Sequence, residues 1–320
     1  MPLISAVYNP PGIFKNGHFS TIYCSVFRKV TCPQTRERIT LDDGDFIDLD
    51  WSYAKEKTNT LVIVLHGLEG SAQRPYIKGA AKIFNENHVD ACAVNFRSCS
   101  GETNKLFSSY HSGKTEDLAT VIAYVLAKGI YNSIVLKGFS LGANVILKYL
   151  GTHTHIPKEI KGAIAVSAPC DLYGTMLQLH KKENIIYHTK FKKDLLLKLK
   201  QKQALFPDML TIEEVKAVKT LKDFDDIYTA KAHDFKDALD YYAKSSALPN
   251  LQAIQHPTLI LNAKNDSFLS ATCFPVAVAT EHKQLYLEMP AYGGHVGFYL
   301  PGSVSYSEKR SVHFMKNIIL

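Results

Sequence analysis

One short run constrains this chain more than any other: Lys137-Gly138-Phe139-Ser140-Leu141-Gly142-Ala143-Asn144. A serine stands between two glycines, directly after the apolar run Ser133-Ile134-Val135-Leu136 and directly before the helix-like stretch 143–150. Strand, sharp turn and helix, in that order, are the context in which G-x-S-x-G carries chemical meaning. Glycine is needed on both sides because neighbouring backbone passes where a β-carbon would clash. The turn leaves the Ser140 hydroxyl above a sheet edge, at the positive end of the following helix. The competing interpretation is a plain strand-to-helix turn, and the rest of the chain has to decide between the two.

The rest of the chain alternates. Extended segments at 38–41 and 46–51 flank Asp42-Asp43-Gly44-Asp45, a hairpin turn. A strand at 61–65 then precedes a helix at 75–87, a strand at 91–96 and a helix at 115–128. The strand 133–139, the helix 143–150 and a strand at 163–168 follow. Such a pattern predicts an α/β protein with a doubly wound, mostly parallel sheet covered on both faces. From Asp171 to Ser246 the alternation stops, and the sequence is helical and lysine-rich. It resumes with strands at 258–262 and 284–288 and a closing helix near 305–319. We therefore expect a core of residues 1–170 and 247–320. Residues 171–246 are expected as a helical lid inserted after the sixth strand, over the strand ends where such sheets bind ligands.

Composition narrows the classes. A chain of 320 residues, 46% hydrophobic and 21% charged, buries a core like any globular protein. The longest aliphatic run, 61–65, is far short of a membrane span. The opening Met1-Pro2-Leu3-Ile4-Ser5-Ala6 has neither the basic nor the long apolar region of a signal peptide. The six cysteines lack C-x-x-C pairing, so free thiols and a cytoplasmic setting are expected. The net charge of +7 is concentrated between Lys181 and Lys202, where eight lysines face Glu183 and Asp194. A basic amphipathic helix there would suit peripheral contact with an anionic membrane. A solvated face packed on the protein body is the preferred reading. No nucleic-acid recognition motif accompanies the basic segment. Neither G-x-G-x-x-G nor G-x-x-x-x-G-K-[ST] occurs, and His153-Thr154-His155 lacks a third ligand, so no nucleotide, cofactor or metal is expected.

A serine hydroxyl is a poor nucleophile until a base takes its proton and an acid orients that base. On a sheet of this kind the chain order is Ser, then Asp or Glu, then His. Asp266, in Asn262-Ala-Lys-Asn-Asp-Ser-Phe268, follows the strand at 258–262. His295, in Tyr292-Gly-Gly-His-Val-Gly-Phe298, follows the last strand in a glycine-flanked loop. Singly, each is also an ordinary turn residue; jointly, they complete a triad with Ser140. Asp226 and His313 are the nearest substitutes, but one lies in the insertion and the other in the closing helix. The oxyanion hole requires two backbone donors. The Leu141 amide is one candidate and the Leu68 amide, in His66-Gly67-Leu68-Glu69-Gly70, the other. His66 itself equally suits a structural, hydrogen-bonded role.

With these residues in hand, the chain resembles the YheT-like branch of the α/β-hydrolase fold proteins, AB hydrolase family 4. The resemblance runs through Asn16-Gly-His-Phe-Ser-Thr-Ile22, the His66 turn, Asn95-Phe-Arg-Ser-Cys-Ser-Gly-Glu102 and Tyr110-His-Ser-Gly-Lys-Thr-Glu-Asp117. It continues through Phe224-Asp-Asp-Ile-Tyr-Thr-Ala230 and His233-Asp-Phe-Lys-Asp-Ala-Leu-Asp-Tyr-Tyr242 to the His295 loop. It implies a carboxylesterase or lipase-like serine hydrolase with Ser140, Asp266 and His295 in the triad positions and a small acyl ester as substrate. A thioesterase, lactonase or acyltransferase would use the same triad, and a non-catalytic binder would need the pocket alone. Ser98 and Asp234 stand where the family pattern has glycine, which bears on the pocket and not on the triad. His111 and Asp117 are open to a catalytic role or to capping and tethering the helix beginning near Thr115, and the second is preferred.

Overall fold

The computed structural model describes residues 3–320. Its strands are β1 (Leu3–Ile4), β2 (Thr35–Thr40), β3 (Phe46–Ser52), β4 (Thr60–Leu65), β5 (Asp90–Asn95), β6 (Ser133–Phe139), β7 (Ile160–Val166), β8 (Thr258–Leu261) and β9 (Leu285–Glu288). They form one nine-stranded sheet in the order β1-β9-β8-β7-β6-β4-β5-β3-β2. The pairings of β3 with β2 and β5 are antiparallel, and all others are parallel.

Burial on both faces explains the unbroken apolar strands. Along β4, Leu61, Ile63 and Leu65 join the hydrophobic cluster on one face, and Val62 and Val64 the cluster on the other. Each such side chain contributes about 1.5–3 kcal/mol on leaving water. The edge is built differently. Arg36 and Arg38 of β2 lie opposite Asp50 and Asp48 of β3 and grip them through paired hydrogen bonds of 2.7 and 2.9 Å. Burial pushes both carboxyls up, but the guanidiniums prevail and hold them below the usual carboxylate range.

Around the sheet pack α1 (Gly17–Val26), α2 (Pro75–Asn85), α3 (Thr115–Ala127) and α4 (Leu141–Thr152). Between β7 and β8 come α5 (Leu172–Leu179), α6 (Ile185–Leu205), α7 (Ile212–Ala217), α8 (Leu221–Phe224), α9 (Ala230–Ala232) and α10 (Ala238–Ser245), with a π-helical turn at Asp225–Thr229. Then α11 (Val276–Glu281) and α12 (Tyr306–Phe314) complete the chain. The inserted helices share a hydrophobic cluster, including Leu195, Leu199 and Phe224, with Phe107 and Phe268 of the core.

Two elements go beyond the sequence reading. The short β1 pairs with β9 at the sheet edge, so the strand before the insertion, the sixth of those read from the sequence, is β7 of the chain. Helix α1 is capped by Asn16, whose side chain accepts the Phe19 N–H. Of the eight lysines between Lys181 and Lys202, Lys202 is buried and Lys198 pairs with Glu69, so the basic face is not wholly solvated. Among the described residues no helix is long and apolar enough to cross a membrane.

Candidate active site

Strand β6 ends at Phe139 and α4 begins at Leu141, leaving Ser140 alone in the bend at φ +53° and ψ −121°. That conformation is costly for a residue with a β-carbon, by about 1–3 kcal/mol, and persists only where the surroundings fix it. Here the Ser140 N–H donates to the Val166 carbonyl at 2.9 Å, while its own carbonyl accepts from Ala143 and Asn144 at the start of α4. A β-carbon on Gly142 would lie 2.6 Å from the His66 carbonyl oxygen, and one on Gly138 would meet the Gly142 backbone. Both glycines are thus required by contact.

The order of strands in the sheet brings the other two residues to the same rim. Asp266 follows β8, and His295 follows β9. His295 Nε2 lies 2.8 Å from Ser140 Oγ, and His295 Nδ1 lies 2.9 Å from Asp266 Oδ2. An ionised carboxylate can only accept, so Nδ1 carries the proton and Nε2 presents a lone pair to the hydroxyl. The Asp266 side chain is fully buried, and its other oxygen accepts the Phe268 N–H at 3.0 Å. Phe268 stacks on the imidazole with centroids 4.1 Å apart.

Three supports of this arrangement escaped the sequence. The His295 N–H donates to Thr21 Oγ1 at 2.8 Å, so α1 holds the backbone of the histidine loop. The Val296 N–H donates to Ser167 Oγ at 3.0 Å. Phe268 is the third. The Asn16-Gly17 start of α1 was a usable signal, since Asn is a favoured cap and Gly17 packs where a β-carbon would strike the Asn265 carbonyl.

Because β4 lies next to β6, the turn after β4 faces the elbow, and a β-carbon on Gly67 would lie 3.0 Å from that of Ser140. The Gly67 N–H is occupied by Tyr76 Oη at 3.2 Å, and the Glu69 N–H by Tyr110 Oη at 3.0 Å. Among the described residues, the Leu68 and Leu141 amides meet no acceptor. His66 is fully buried; its ring pairs with the Gly67 carbonyl at 2.7 Å and accepts the Phe96 N–H at 3.2 Å. Burial holds it neutral, pushed down to about 3. Both ring nitrogens are engaged by backbone groups.

Above the elbow lies a cavity of about 1140 Å³, mouth included, walled mainly by apolar residues of the insertion such as Met176, Leu179, Leu195 and Phe224. Ser98 and His111 also line it. Asp117 stands apart, gripping Arg97 through bonds of 2.8 and 2.7 Å, which ties the start of α3 to the Arg97 loop. His111 does not cap α3: it accepts the Gly113 N–H and packs against His233, Phe235 and Tyr241. Asp226 pairs with Lys222 and accepts the Ala238 N–H, far from any triad role, and His313 contacts Arg310 at the surface. His153 bonds to Thr115, and among the described residues no cluster suits a metal ion.

A mostly parallel sheet with a serine elbow, and an aspartate and a histidine at the ends of later strands, defines a class. The alpha/beta hydrolase fold family matches residues 60–298, and the chain belongs to it. Within that family it belongs to the YheT-like branch: it is 33% identical to the YheT protein of Escherichia coli (strain K12) over 92% of this chain and 87% of that one. It is 25% identical to the phospholipase ABHD3 of Homo sapiens, over 93% of this chain and 75% of the relative. An esterase of Pyrococcus furiosus, Pf2001, shares the fold with a TM-score of 0.59 and 17% identity, over 98% of this chain and all of its own.

Proposed function

We propose that this protein is a serine hydrolase that cleaves carboxylic esters. Ser140 Oγ attacks the acyl carbon as its proton passes to His295 Nε2. Asp266 keeps the imidazole in the Nδ1–H tautomer and stabilises the imidazolium that forms. The oxyanion takes hydrogen bonds from the Leu68 and Leu141 amides. His295 then returns the proton to the departing alcohol, and a water activated by the same imidazole splits the acyl-enzyme. The inserted helices act as a lid, and their apolar inner wall receives a short-to-medium acyl chain. The observation that carries this reading is the continuous hydrogen-bonded line Asp266–His295–Ser140 at the floor of an apolar cavity.

The test is a series of p-nitrophenyl esters of graded chain length, run on the protein and on Ser140→Ala. Turnover of the shorter esters is expected, with kcat in Ser140→Ala lower by about 10⁴-fold or more. Negligible turnover by both, with no labelling of Ser140 by a fluorophosphonate, would overturn the proposal. An acyl library that adds thioesters, lactones and phospholipids then ranks the substrate classes.

A further inference from the structure

Glu69 adjoins the Leu68 amide and takes φ +52°, a conformation glutamate has no intrinsic tendency to adopt. Four contacts hold it there. Its N–H donates to Tyr110 Oη at 3.0 Å, and that hydroxyl donates back to Glu69 Oε1 at 2.6 Å. Arg74 Nη2 donates to its carbonyl at 3.1 Å. Lys198 Nζ reaches Oε2 at 3.1 Å from α6, in the insertion, and also lies over the Tyr110 ring. The glutamate side chain is 6% exposed and the lysine 24%, so the pair is shielded far more than a surface ion pair. Both residues line the cavity beside Ser140. A glycine at position 69 would adopt the same φ without cost and keep the two backbone contacts, but would lose those to the Tyr110 hydroxyl proton and Lys198.

We propose that Glu69 and Lys198 are positioning residues: their ion pair clamps the turn bearing the Leu68 amide to α6, so that the amide is aimed when α6 is seated over the site. The inference rests on Leu68 acting as an oxyanion donor, as proposed above. Neither residue touches the reacting atoms. Lys198 acts through Glu69, and Glu69 through the turn. The inserted helices then do more than cover the substrate, because their seating completes the machinery that binds the developing charge.

The test uses the intact protein and three variants, Glu69→Gln, Lys198→Met and Lys198→Arg. Loss of a whole oxyanion donor costs about 10²–10³ in kcat, so a misaimed one is expected to cost roughly 10–100-fold in Glu69→Gln and Lys198→Met. KM is expected to stay within about threefold, because the interaction matters in the transition state. Backbone hydrogen exchange across residues 67–70 is expected to quicken about tenfold in both variants, and Lys198→Arg to restore both readouts. Values of kcat within about twofold of the parent, a loss confined to KM, or unchanged exchange at 67–70 would each overturn the clamp. If the parent protein itself hydrolyses no ester, the proposed function fails, and exchange at 67–70 alone decides the clamp.

Discussion

Eight of the described non-glycine residues lie at positive φ, Ser98 and Asp234 among them. Ser98 lies at φ +62° and Asp234 at φ +56°, the two positions where the resemblance leads us to expect glycine. Ser98 offsets the strain locally: its hydroxyl donates to Asn104 Oδ1 at 2.6 Å and accepts the Asn104 N–H at 3.0 Å. Asp234 is exposed, and among the described residues its carboxylate makes no hydrogen bond or ion pair. Asp234→Gly is therefore expected to raise the unfolding free energy by about 0.5–1 kcal/mol in urea titration. Ser98→Gly should gain less, because the Asn104 bonds are lost. A destabilised Asp234→Gly would show that the strain account is wrong. The sequence marked both positions as departures, but the reason is a dihedral angle, which no residue letter states. That Ser140, Asp266 and His295 meet at one rim was legible because each follows a recognisable strand. Thr21 and Phe268 were not, since their contacts with His295 exist only once distant segments meet.

Most strands and core helices could be read from apolar runs and periodicity, with ends within a few residues. Helix α1 was missed because it is short, begins with glycine and carries no alanine or leucine, so its propensity is weak. Its stability comes from docking, through Tyr23 on Tyr299 and Thr21 on the histidine loop. The π-helical turn at Asp225–Thr229 was equally invisible, since one extra residue per turn leaves no pattern. It turns Asp225, Tyr228 and Thr229 toward the cavity. Burial raises the Asp225 carboxyl to about 6, although Tyr242 and Thr229 both donate to it. Folding therefore favours the protonated form, and stability tied to this group is lost as the pH rises from about 4 through 6. The Asn variant lacks this dependence. The unfolding free energy of Asp225→Asn minus that of the parent is expected to grow by about 2–3 kcal/mol between pH 4 and 7. A difference independent of pH would refute the assignment.

Across the molecule, buried histidines set the opposite trend, His66, His111 and His233 most strongly. Burial pushes both His66 and His233 down to about 3, against an ordinary value near 6.5. Below pH 6.5 the unfolded chain binds protons that the folded one refuses, so stability falls with falling pH by about 1.4 kcal/mol per pH unit for each. Asp225 offsets part of this and His111 adds to it, so a net loss of at least about 2–3 kcal/mol is expected in urea titrations between pH 7 and 5. Stability level across that interval would contradict it. A final consequence concerns Thr21 and His295, near opposite termini yet joined by one hydrogen bond. During refolding the histidine loop is expected to take its final seat only once both extremities of the polypeptide have come together. On the proposed chemistry, the first burst of ester cleavage would then time the closing of the entire chain upon itself.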